Sequence, residues 1–147
     1  MRRYDSKGMD GPWAFKNGVT CVGNGESVEI PINNGTVLPS DVDDVKAVIW
    51  WYDKRHESSN SLDDIDLELW SGSNRVAFSN DDYDNKERVY NAFMGGTVAK
   101  LEIVGQNVTS DVAGCGANKM KVWWAWFYED DDRDDSDGPS LSQIERE

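Results

Sequence analysis

The chain has 147 residues and carries 15 Lys+Arg against 28 Asp+Glu, a formal net charge of −13. Its length argues for one domain of ordinary size, and its charge argues against nucleic acid and anionic membrane as partners. The 38% hydrophobic content and seven Trp exclude a disordered acidic chain, and no apolar run reaches the roughly 18 residues of a transmembrane helix.

Taken in chain order, residues 1–20 show no usable period and are expected to form an N-terminal strap or linker. Charges at the start, from Met1 to Lys7, are followed by no apolar stretch, so no signal peptide is expected there. The body, 21–128, reads as strands. Residues 27–32 alternate, with Val28, Ile30 and Ile32 on one face. Pro31 confines that strand to a sheet edge or to its own end. Residues 45–52 place Val45, Ala47, Ile49 and Trp51 together. Residues 64–70 point Ile65, Leu67 and Leu69 one way and Asp64, Asp66 and Glu68 the other. Shorter strands are predicted at 75–79 and 87–91, and a longer one at 97–104, with Ala99, Leu101 and Ile103 on one face. The last, 119–128, is apolar on both faces.

Between these runs lie turn clusters such as Gly23-Asn24-Gly25, Ser71-Gly72-Ser73-Asn74 and Gly95-Gly96. No long segment has helical spacing. Many short strands with regular turn signals predict an all-β, antiparallel β-sandwich of jelly-roll type with seven to nine strands. Residues 129–137 hold seven acids and one Arg, and 138–147 add two Glu and one Arg, which leaves −6 for the first 128 residues. That composition predicts a disordered acidic tail over 129–147.

Catalytic chemistry finds little to work with. His56, the single histidine, sits in a polar loop with no Gly-x-Ser-x-Gly elbow and no sign of a triad partner. One His and two distant Cys cannot supply a zinc site. No catalytic residue is expected, and the chain is read as a non-enzyme. A glycosidase would need two carboxylates flanking a cleft, for which so small a body leaves little room.

Cys21 and Cys115 lie near the two ends of the body, each beside glycine. First and last strands of a sandwich are often neighbours, so a disulfide is predicted against the alternative of two free thiols. The aromatic, Gly- and Asn-rich body fits an oxidising, extracellular location. The two sequons, Asn34-Gly35-Thr36 and Asn107-Val108-Thr109, agree with secretion.

Carboxylates gather at two places: Asp63, Asp64 and Asp66 at the head of a strand, and Asp81, Asp82 and Asp84 with Asn85 in a later loop. Hard oxygen ligands at strand ends suit calcium, although no EF-hand spacing is present. The other reading is turn capping and solvation by Asp and Asn.

Four stretches resemble a known arrangement: 48–53 (Val-Ile-Trp-Trp-Tyr-Asp), 63–69 (Asp-Asp-Ile-Asp-Leu-Glu-Leu), 83–87 (Tyr-Asp-Asn-Lys-Glu) and 96–101 (Gly-Thr-Val-Ala-Lys-Leu). The pattern is similar to the jelly-roll domain that follows the catalytic domain of secreted subtilisin-like serine proteases, and to the bacterial pre-peptidase C-terminal domain. The resemblance covers about 27–128. It departs where Asp63 stands for Asn, Lys86 for Val and Val98 for Tyr. It implies a calcium site near Asp63, Asp64, Asp66, Asp84, Asn85 and Glu87. It also places Trp51 in the core, with Trp50 and Tyr52 facing away. By the same alternation Val122, Trp124 and Trp126 turn inward and Trp123, Ala125 and Phe127 outward.

Outward Trp50, Tyr52, Trp70 and Trp123 are therefore the candidate ligand-binding patch. The function expected is a non-catalytic accessory domain of a secreted hydrolase, of the subtilisin-like kind on this resemblance, which stabilises the enzyme or binds its substrate with calcium as a candidate cofactor. Its expected partners are the adjacent catalytic domain and a protein or polysaccharide substrate. The alternative is a carbohydrate-binding module whose surface Trp and Tyr stack on sugars.

Overall fold

Alternation of apolar and polar side chains decides which way each strand faces, and two four-stranded antiparallel sheets result. The computed structural model describes residues 13–52, 63–80, 85–109 and 114–130. Its strands are β1 (Trp13–Gly23), β2 (Ser27–Pro31), β3 (Val42–Trp51), β4 (Asp64–Ser71), β5 (Asn74–Ser79), β6 (Lys86–Asn91), β7 (Ala99–Asn107) and β8 (Lys119–Asp130). Sheet A has the order β1-β8-β3-β6 and sheet B the order β2-β7-β4-β5. Successive strands thus alternate between sheets except at the β4–β5 hairpin, the pattern of two interlocked Greek keys that defines a jelly roll. The predicted class and strand number hold.

The predicted inward faces form the core. Val45, Ala47, Ile49, Trp51, Val122, Trp124 and Trp126 from sheet A meet Ile65, Leu67, Leu69, Leu101 and Ile103 from sheet B, all of them buried. Removing such a side chain from water contributes roughly 1.5–3 kcal/mol. β2 is an edge strand and Pro31 is its last residue, as a missing backbone N–H requires.

One boundary needs correction. Residues 13–20, read as part of a strap, belong to β1, which pairs with β8 from Trp13↔Glu129 to Gly23↔Lys119. As an edge strand β1 carries its larger side chains outward: Phe15 and Val19 are about half exposed. Opposite the inward Trp124 it has only Gly18. A Cβ there would lie 2.5 Å from Trp124 Cζ2, so the indole occupies the volume that a side chain would take. At its other end β8 continues to Asp130, two residues into the segment read as tail; residues 131–147 lie outside the described residues.

The predicted disulfide forms between Cys21 and Cys115, with a Cα–Cα distance of 5.5 Å. It ties β1 to the connection between β7 and β8. At the same end Gly105 packs so closely on the β1–β2 turn that a Cβ would come within 2.2 Å of Gly23 O. The backbone N–H of Gly105 donates to Glu26 O there and that of Gly25 donates to Gly105 O. Gly23 N–H and the Lys119 ammonium hold the Glu26 carboxyl below its ordinary pKa.

Candidate functional site on sheet A

Two parts of the molecule gather the residues singled out from the sequence: the loop end beside the disulfide, and the solvent face of sheet A. At the loop end, Asp63 is buried just before β4, and its Oδ1 accepts from Thr109 N–H at 3.1 Å and Thr109 Oγ1–H at 3.3 Å. Asp64 and Asp66 are half-buried and alternate with the core residues of β4. Asn85 Nδ2 donates to Trp51 O while Trp51 N–H donates to Asn85 O, joining β3 to the start of β6. Glu87 faces the interior and accepts from the Ser79 hydroxyl, which bridges β6 to β5.

Asp84 and His56 lie outside the described residues. Among the described residues no three His, Cys, Asp or Glu side chains converge as metal ligands. Asp63 and Glu87 make hydrogen bonds that tie strands together, and Asp84, one of the six residues of the expected calcium set, lies outside the described residues. Asn34 and Asn107, the sequon asparagines, are both exposed.

The candidate ligand aromatics divide between the two sheets. Trp50 and Trp123 are register partners on the outer face of sheet A, and Tyr52 follows outward and exposed. Trp70 is on the outer face of sheet B, on the far side of the sandwich. Its indole N–H donates to Glu68 Oε1 at 2.9 Å and its ring carries the Lys100 ammonium at 5.6 Å. It cannot share a patch with the other three.

Strand register arranges the outer face of sheet A in rows. One row runs Val19, Trp123, Trp50, Lys86 across β1, β8, β3 and β6; the next runs Asn17, Ala125, Val48, Arg88; the third runs Phe15, Phe127, Lys46, Tyr90. Strand spacing makes the third row about 14 Å long, and four residues along a strand separate it from the first by about 13 Å. The middle row is short-sided at Asn17, Ala125 and Val48, so the third row rises beside it. The result is an open groove of about 740 Å³ whose lining includes Phe15, Lys46, Arg88, Tyr90, Ala125 and Phe127. Tyr90 Oη donates to Asp44 Oδ1 at 3.2 Å, and the Lys46 ammonium lies 5.8 Å from the Tyr90 ring centre.

The sequence reading turned Ala125 and Phe127 outward but missed Phe15, Lys46, Arg88 and Tyr90 as one site. A clear alternation of Arg88 and Tyr90 against Glu87 and Val89 was available in 86–91. No local signal existed for Phe15.

No protein-family model matches the sequence, and no curated protein does. Among solved structures the chain is similar to the mitogen of Yersinia pseudotuberculosis, with 15% identity and a TM-score of 0.44 over 87% of this chain and 94% of that one. It is also similar to the pre-peptidase C-terminal domain of a Bacillus anthracis collagenase, with 8% identity and a TM-score of 0.38 over 71% and 90% of the two chains. A third is the carbohydrate-binding module CBM36 in complex with calcium and xylotriose, with 10% identity and a TM-score of 0.38 over 78% and 88%. Likenesses this distant carry no argument about function, and the jelly-roll assignment rests on the strand order itself.

Proposed function

We propose that this chain is a non-catalytic binding domain that holds a polysaccharide chain across the outer face of sheet A, as an accessory of an exported hydrolase. The groove flanked by Phe15, Tyr90 and Phe127 carries this reading. Exposed rings on a rigid sheet offer flat apolar surface to sugar faces, with polar side chains at the rim to fix orientation. The Cys21–Cys115 disulfide supports an oxidising compartment and hence export. The hydrolase as parent, of the subtilisin-like kind, comes from the sequence resemblance and belongs to the proposal.

Retention on insoluble cellulose, chitin, xylan and cross-linked pectate tests it. Phe127→Ala and Tyr90→Ala are expected to lose retention on whichever matrix binds, while Phe78→Ala, on the opposite face, keeps it. If Phe127→Ala and Phe78→Ala behave alike, the groove is not the site.

A further inference from the structure

We infer that the ligand of the sheet A face is an anionic polysaccharide, one whose sugars bear carboxylates or sulfates. The inference rests on the reading of that face as the binding site and adds the chemical class of the ligand.

It follows from where this acidic chain keeps its positive charge. Lys46, Lys86, Arg88 and Lys121 all project from the outer face of sheet A, as their register with the outward Phe127, Trp50, Val48 and Cys21 fixes. None of the four forms a salt bridge among the described residues. Among the described residues the cations elsewhere are neutralised, except Lys16, which is exposed on the edge strand β1. Arg75 pairs with Glu68 at 3.1 Å, Lys100 with Glu29 at 2.8 Å and Glu102 at 3.0 Å, and Lys119 with Glu26 at 3.2 Å. Glu29 first, then Glu102, raises the pKa of Lys100 accordingly.

Two of the sheet A cations are held over rings instead: Lys121 lies 5.5 Å from the Trp123 ring centre and Lys46 lies 5.8 Å from that of Tyr90. A cation–π contact fixes an ammonium without cancelling its charge. Of the carboxylates on this face, Asp44 lines one end of the groove, where it accepts from Tyr90 Oη–H, and Glu129 is its register partner beyond the third row. The rows between them and Lys121 therefore present positive charge alternating with aromatic surface. Lys86 and Arg88 are two residues apart on β6, about 7 Å, a separation suited to charges borne by neighbouring parts of one chain. The Arg88 fork can take a carboxylate or sulfate by two hydrogen bonds.

Nucleic acid shares the charge but not the setting. A net charge of −13 opposes the dense phosphate field of a duplex over a longer range than four cations can offset. A single uronate chain bears one charge per sugar, fewer per unit length than a duplex, and its bound stretch needs only the local cations.

The test is binding by the full chain to polygalacturonate, alginate and heparin, compared with xylan and cellulose, and with poly-glutamate as the acidic peptide. Arg88→Gln and Lys46→Gln are measured beside wild type, with thermal midpoints to show that both variants fold. The expected result is binding to at least one anionic polysaccharide, weakened about tenfold by loss of a charged hydrogen bond in Arg88→Gln. That binding also fails at about 1 M salt, where screening falls to about 3 Å.

Equal binding to xylan or cellulose, unmoved by the charge variants, overturns the inference and leaves the polysaccharide reading standing. Binding to poly-glutamate as tight as to any sugar overturns it in favour of an acidic protein partner. Binding to none of these removes both readings.

Discussion

The Tyr128 hydroxyl donates to Asn33 Oδ1 at 3.2 Å across 95 residues of sequence, joining the last strand of sheet A to the turn that follows β2. Asn33 holds that turn from within. Its Nδ2 donates to Thr36 Oγ1 and Val37 O, and its φ of 59° is one that Asn tolerates better than most residues. Tyr128→Phe is expected to cost about 1 kcal/mol through one lost hydrogen bond, and Asn33→Ala more, through three and a strained backbone. Chemical denaturation checks both.

Burial pushes the Tyr128 phenol above its ordinary pKa of 10. Above that pH the unfolded chain releases a proton that the folded one keeps, so the contribution is intact below pH 10 and is lost as pH rises towards the folded value. Stability is expected to fall over that alkaline range in the wild type and to fall less in Tyr128→Phe. Equal slopes would show that Tyr128 is not the titrating group.

The Cys21–Cys115 bond spans 94 residues. Chain entropy gives such a loop about 4–5 kcal/mol. Reduction, or the pair Cys21→Ser and Cys115→Ser, is expected to lower the thermal midpoint by many degrees. A shift of a degree or two would show that the loop end is tied by other contacts.

Gly18→Ala is expected to destabilise by about 1–3 kcal/mol, the usual range for overpacking, because its methyl meets the Trp124 ring. Near-UV circular dichroism should report the displaced indole. Gly72→Ala differs in kind: a Cβ there meets no atom within 4 Å, and its cost comes from a φ of 62° without disturbing any Trp.

Asp63 distinguishes capping from metal binding. Its two hydrogen bonds from Thr109 predict that Asp63→Ala costs about 1–3 kcal/mol, by the same amount in calcium and in EDTA. Calorimetry in both buffers decides; a loss seen only in calcium would put Asp63 in a cation site.

Most of the sandwich was legible because central strands announce themselves. Ile65, Leu67 and Leu69 alternate with acids, and Pro31 marked an edge. β1 was not legible because its pattern is inverted: an edge strand beneath a large partner needs Gly18 inside and leaves Phe15 outside. Its meaning is supplied by Trp124, more than a hundred residues away. The candidate site failed to show for a related reason. Trp70 and Trp50 both face outward, but a strand pattern gives the face of a strand and not the sheet to which it belongs. Only the β1-β8-β3-β6 order brings Phe15, Phe127, Lys46 and Tyr90 into one row. The acids are less legible, because clustering in sequence does not separate a metal ligand from a hydrogen-bond acceptor, the role in which Asp63 meets Thr109.

The Trp13↔Glu129 pairing sets the start of β1 beside the end of β8. Tension applied at these two points would load their hydrogen bonds one after another, so β1 should peel away like a zip at low force rather than resist in shear. The peel meets a covalent stop at Cys21 before β1 is free. A tethered copy stretched in force spectroscopy should therefore yield a short, weak first extension, ending at a length set by residues 13–21, and reduction of the disulfide should remove that stop.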